Sequence, residues 1–177
     1  SYGLKITSAY HIFDETIKIY RKAVEYITDI TLLRFDEISV IDTHEGYTKQ
    51  QAQRKYMESL IHTTKENPAC YERFDKEFYK FPSYLRREAI TTAIGIVSSY
   101  KTNLQKWEAD GKKGRRPHLN RNQNVMPCFY RNNTFLDSEE TNIVSLKLYN
   151  GKDWIWETSV IRDCDFMYAY SHMKEWK

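Results

Sequence analysis

Glycine and proline are scarce in this chain, 6 and 4 among 177 residues. That excludes a collagen-like or Pro/Gly-rich low-complexity architecture and leaves each of these residues to act as local punctuation. Cysteine is scarcer still. Cys70, Cys128 and Cys164 form no CxxC pair, and an odd count does not build a disulfide framework. His11, His44, His62, His118 and His172 show no HxxxH spacing, so a zinc site has no local signature. A GxSxG elbow and a glycine-rich phosphate loop are both missing, which removes the usual sequence marks of a serine hydrolase or a nucleotide-binding P-loop. No apolar run approaches the roughly 18 residues that span a bilayer, and the first residues lack the apolar stretch of a secretory signal. The expectation is a soluble, cytoplasmic chain with reduced thiols and no membrane partner.

What is present is a foldable balance, 41% hydrophobic and 29% charged, with a surplus of rings: 14 Tyr, 8 Phe and 4 Trp. Such rings fill cores and also offer flat amphipathic faces to bases. The net charge of +3 says little, but its distribution says more. Residues 101–131 carry eight basic side chains against Glu108 and Asp110, a net +6, which leaves −3 for the rest.

Periodicity gives the elements. Tyr2, Leu4 and Ile6 alternate with polar residues, the pattern of a short first strand. Phe13, Ile17, Tyr20, Val24 and Ile27 recur at helical spacing and predict an amphipathic helix. The stretch Phe35 to Tyr47 breaks that pattern, and Thr48 then stands as a cap before Gln51, Ala52, Tyr56, Leu60 and Ile61. Asn67-Pro68 stops this second helix. A loop with a short helical piece, Tyr71 to Phe81, leads to Pro82. From there Leu85, Ala89, Ile90, Ala93, Val97, Leu104 and Trp107 predict the longest helix, ended by Gly111 and Gly114. Beyond Pro117 the runs Met126 to Tyr130, Ile143 to Tyr149 and Trp154 to Val160 read as strands. Asn150-Gly151 suits a type I′ hairpin turn that Lys152 and Asp153 would widen. The class is α+β.

Two acidic pairs, Asp163 with Asp165 and Glu139 with Glu140, could hold a divalent cation, although each also fits a solvated turn or strand end. Cys70 reads as a packing thiol. The basic stretch is the stronger signal. It joins Lys101 and Lys106 on the long helix to a connector with Lys112, Lys113, Arg115 and Arg116, and then to Arg121 and Arg131 near Phe129 and Tyr130. Cations release counterions from phosphates while rings and guanidinium planes stack on bases. The same loop also serves as a solvated connector, and composition alone leaves both readings open.

The run Phe81-Pro82-Ser83-Tyr84-Leu85-Arg86-Arg87-Glu88-Ala89-Ile90, continuing through Ser98 to Leu104, resembles a helix of the transposon-associated TnpB proteins and their type V CRISPR relatives. Pro127 to Tyr130, Asn133-Thr134-Phe135 and Leu146 to Trp156 are similar to the strands that precede the catalytic domain in some of them. The resemblance implies a helical recognition bundle joined to a small β-barrel-like wedge domain. Residues 1–9 would supply a first wedge strand, 10–111 the recognition helices, 112–122 a basic linker and 123–177 the β-rich wedge-like part. It implies guide RNA and duplex DNA beside the target as partners. The nuclease centre and its zinc segment would lie in a C-terminal domain beyond Lys177, so neither a catalytic residue nor a cofactor or metal belongs to this part. By the same resemblance Ser83, Tyr84, Arg87 and Lys101 would meet DNA, and Lys112, Lys113, Arg115, Arg116, Arg121, Tyr130 and Arg131 would meet RNA. Without the resemblance Ser83 reads as a helix cap, Tyr84 as core and Arg87 as a solvated charge. Two rival readings stand beside it. One is a protein-interaction domain presenting Phe129-Tyr130 and Trp154-Ile155-Trp156, distinguished by whether the rings lie beside cations such as Arg131 and Lys147. The other is an enzyme with a metal site around Asp163 and Asp165.

Overall fold

The computed structural model describes residues 10–43, 46–121, 124–137, 142–164 and 167. The expected first strand, Tyr2 to Ile6, lies outside them, as do Asp165, Glu139 and Glu140. Helices come first: α1 (Tyr10–Leu33), α2 (Phe35–Ser39), α3 (Lys49–Ile61), α4 (Arg73–Glu77) and α5 (Ser83–Ala109). Strands follow: β1 (Phe135–Asp137), β2 (Ile143–Tyr149) and β3 (Trp154–Val160). The chain is α+β and divides into two compact units, Ile19–Pro127 in one and Ser1–Lys18 with Cys128–Lys177 in the other. No helix among the described residues is long and apolar enough to cross a membrane.

The helical unit is built on stripes. Along α1, Tyr20, Ala23, Val24, Ile27 and Ile30 are buried at three- and four-residue steps. Thr28 and Thr31, buried in the same stripe, satisfy their hydroxyls by donating to the carbonyls four residues back at 2.7 and 2.8 Å. α3 opens with a capping box. The Gln51 amide donates to Thr48 Oγ1 while Gln51 Oε1 accepts from the Thr48 N–H at 2.8 Å. Met57, Leu60 and Ile61 form its buried face. The break expected over Phe35 to Tyr47 contains a helical turn, α2, which buries Ile38. Five residues with two apolar ones, Phe35 and Ile38, are too short a stretch for periodicity to announce a helix. Phe74 on α4 packs with Phe78 and Phe81 at ring-centroid distances of 4.9 and 5.9 Å, and Tyr26 of α1 joins from 6.0 Å. α5 buries Leu85, Ala89, Ile90, Ala93, Ile96 and Val97. It ends as Gly111, Lys112 and Gly114 turn to positive φ, with the Lys112 amide closing on the Trp107 carbonyl at 2.8 Å.

In the other unit the three strands form an antiparallel sheet in the order β1-β2-β3, open among the described residues. Register pairs Phe135 with Leu146, Lys147 with Trp156 and Tyr149 with Trp154. Val144, Leu146 and Leu148 are buried on one face, while Ile143 and Lys147 alternate onto the other. The hairpin forms, but not as a type I′ turn: of its central residues only Gly151 takes positive φ. Asn150 Oδ1 instead accepts from the amides of Lys152 and Asp153 at 3.0 and 2.9 Å, which widens the loop to four residues. The expected strand over Met126 to Tyr130 is absent. Pro127 has no amide to give, and the Tyr130 amide donates to Thr134 Oγ1 at 2.7 Å, so side chain and turn replace a ladder and the strand begins at Phe135. Within this unit, Thr16 in the first turns of α1 accepts the Tyr149 amide at 2.8 Å while donating to the Ile12 carbonyl at 2.8 Å. Thr16→Val is expected to cost about 1–3 kcal/mol, because it strands that amide without changing volume. Urea denaturation of the two proteins measures it, and equal midpoints would show the link contributes nothing.

Candidate nucleic-acid interface

The polar face of α3 and the first turns of α5 enclose two adjoining depressions of about 390 and 330 Å³, which share Lys55, Glu58 and Arg87. Spacing explains the α3 side. Gln51, Arg54, Lys55, Glu58 and His62 recur every three or four residues, opposite the buried Met57, Leu60 and Ile61. The α5 side follows from Pro82, whose fixed φ starts the helix so that Arg86 and Arg87 fall one turn in.

Glu58 holds the centre. Its Oε1 accepts from Arg86 Nε at 3.1 Å and from Nη2 at 2.9 Å, and the Arg86 side chain is only 9% exposed. Arg87 is held more loosely. Its Nε stands 3.6 Å from Glu58 Oε2, and its guanidinium lies over the Tyr84 ring at 5.5 Å. Lys55 leans over Tyr47 at 5.0 Å. The far end is fastened by Asp75, which meets His62 Nδ1 at 2.7 Å and accepts the Thr63 amide at 2.8 Å. Asn67 lines the same end and donates from its side-chain amide to the Ser59 carbonyl at 2.9 Å. Behind α3, Tyr56 donates to Glu37, a bond that raises the phenol above its usual value.

Of the residues singled out for DNA, Arg87 lines the groove, Tyr84 stacks on it and Ser83 is the exposed first residue of α5. Three plainer readings are corrected. Ser83 is not the cap, because Pro82 occupies that position and no side-chain cap bond is made. Tyr84 is half-buried rather than core, and Arg87 is engaged rather than merely solvated. Lys101 is not part of this cluster. It sits fourteen positions on from Arg87 in the same unbroken helix, about 21 Å along the axis, over the Phe35 ring at 5.5 Å. Arg54, Lys55 and Glu58 carry no signal in the sequence beyond the three- and four-residue spacing of a solvated helix face.

Lys112, Lys113, Arg115 and Arg116 are exposed on the connector after α5. Arg121 is engaged by Asp29, whose carboxylate at 2.6 Å accepts its hydrogen bond and holds its pKa above the ordinary value. Tyr130 and Arg131 belong to the sheet unit, where Arg131 Nε donates to the nearly buried Asp137 at 2.8 Å. On the sheet's outer face Lys147 lies 5.5 Å over Trp156. Asp163 accepts from the Asn142 side chain. No three His, Cys, Asp or Glu side chains gather as a metal set among the described residues.

The architecture defines an α+β protein with a cation-lined groove between two helices. The Aq_aa04 family model matches residues 1–150, and the chain belongs to the Aq_aa04 family. That match spans α1 to α5 and closes in the β2–β3 loop. No curated protein and no solved structure matches the chain.

Proposed function

We propose that this chain is a nucleic-acid-recognition module of an RNA-guided, transposon-associated endonuclease, binding guide RNA and target-adjacent duplex DNA without carrying the nuclease centre. The observation that carries the reading is the groove between α3 and α5, where Arg54, Lys55 and Arg87 present cations around a single carboxylate. Such a row neutralises successive phosphates and fixes register on a duplex. Ser83 extends it at the start of α5. The exposed connector, Lys112 to Arg116, supplies a second cationic element suited to RNA, and Lys147 beside Trp156 offers a cation and a ring to an unpaired base. The open sheet is taken as part of a wedge-like β-barrel, with cytoplasmic location and the absence of a cofactor following from the same reading.

A salt titration of binding to duplex DNA and structured RNA tests it. Neutralising Lys112, Lys113, Arg115 and Arg116 is expected to flatten the RNA salt slope by up to about 3.6, roughly 0.7–0.9 for each phosphate that no longer meets a cation. A wild-type affinity that ignores salt would sink the reading. A second reading rests on the outer sheet face, where Leu136, Ile143, Trp156 and Val160 remain 41–44% exposed. There the chain would use an aromatic and aliphatic strand surface to bind a protein. Binding of neither nucleic acid at low salt would favour it.

A further inference from the structure

The groove holds an acid where its proposed ligand is an acid. Glu58 is the carboxylate shared by both depressions, and it does two opposed things. Through Oε1 it immobilises Arg86, which is almost wholly buried and directed at that oxygen by two donors. Through Oε2 it stands 3.6 Å from Arg87, the more exposed guanidinium, outside good hydrogen-bonding distance. Arg86 is therefore committed to Glu58, whereas Arg87 is only shared between Glu58 and the Tyr84 ring.

We infer that Glu58 is a specificity-determining residue of the groove, an internal competitor for Arg87 that a phosphate must displace. This rests on the nucleic-acid reading above and deepens it. A lone phosphate gains Arg87 only against the resident carboxylate. A duplex presents several phosphates at once, engages Lys55 and Arg54 alongside, and so wins the exchange. The groove thus favours polyanions over isolated phosphoryl groups, and Arg86 acts as the fixed post that keeps Glu58 in place.

The test is binding of a fluorescent 20-base-pair DNA duplex by the 177-residue chain across a salt series. Glu58→Gln keeps an oxygen acceptor for Arg86 but removes the competing charge. It is expected to bind about fivefold more tightly, with a salt slope steeper by about 0.9. In an Arg87→Ala background that gain is expected to vanish. Glu72→Gln removes an equal charge from an exposed pair with Lys76 and is expected to change nothing. Should Glu58→Gln destabilise the fold, the double variant Glu58→Gln, Arg86→Met removes the buried pair as a unit, an exchange proteins often tolerate. Its net charge equals that of wild type, and the same gain is expected. Inorganic phosphate as competitor should displace the duplex more readily from Glu58→Gln than from wild type. Unchanged affinity in the folded variants, a gain that survives Arg87→Ala, or an equal gain from Glu72→Gln overturns the inference alone. A wild-type chain that binds no duplex at low salt fails the parent reading, and this inference with it.

Discussion

Replacing Arg54, Lys55 and Arg87 together with glutamine is expected to lower affinity for duplex DNA by two to three orders of magnitude near 0.1 M salt. The magnitude follows from counterion release. Each neutralised phosphate contributes about 0.9 to the slope of log affinity against log salt, so three cations contribute about 2.7, or roughly 500-fold at that concentration. The fold should be nearly indifferent. All three side chains line the open groove, and the ion pair disturbed among the described residues, Arg87 with Glu58, is long and partly exposed. Thermal unfolding beside the salt titration separates the two effects. An affinity that falls without a change of slope would mean these residues act through shape or packing rather than on phosphates. An unchanged affinity would remove the groove from the interface.

Phe74→Ala is expected to be the most damaging single change to the helical unit, at about 3–5 kcal/mol. Phe74 is fully buried, yet α4 that carries it is only five residues long and cannot persist on local hydrogen bonds. The ring is what fastens that turn: Phe78, Phe81 and Tyr26 all lie within 6.0 Å of it, centroid to centroid. Alanine would leave a cavity bounded by three other rings, too rigid to collapse into it. The loss should also reach the groove, because Asp75 follows Phe74 and holds His62 and the Thr63 amide at its far end. Far-UV circular dichroism during guanidinium unfolding measures the stability. A loss below about 1 kcal/mol would show that the cluster packs without supporting α4.

What was legible in the sequence depended on length and punctuation. α1 and α5 announce themselves through many turns of apolar spacing, and α3 through Thr48 and Gln51, whose side chains form the cap that their order suggests. The hairpin was legible from two β-rich runs flanking Asn150-Gly151, but its turn type was not. The asparagine side chain offered two amides a competing acceptor, and a dipeptide rule does not register that. The same competition misplaced the strand before Asn132: Met126 to Tyr130 has strand composition, and Thr134 takes the Tyr130 amide. For the groove, Arg87 is reached only through the resemblance that its helix carries, whereas Glu58 is not reached at all. Nothing local distinguishes it from any solvated helix glutamate until Arg86 arrives from a helix twenty-eight positions away. Lys101 stands on the same helix as Arg87 but outside the groove, since shared membership of a long helix does not bring two residues to one place.

At the end of α5 the backbone turns left-handed at Gly111, Lys112 and Gly114. Two of those positions hold the residue that makes the turn without strain, and the middle one does not. A lysine there gives up about 1–2 kcal/mol that glycine would keep. Rigidity and charge therefore pull against each other at Lys112: the conformation calls for the smallest residue, and the surface keeps a long cation at the first step of the connector.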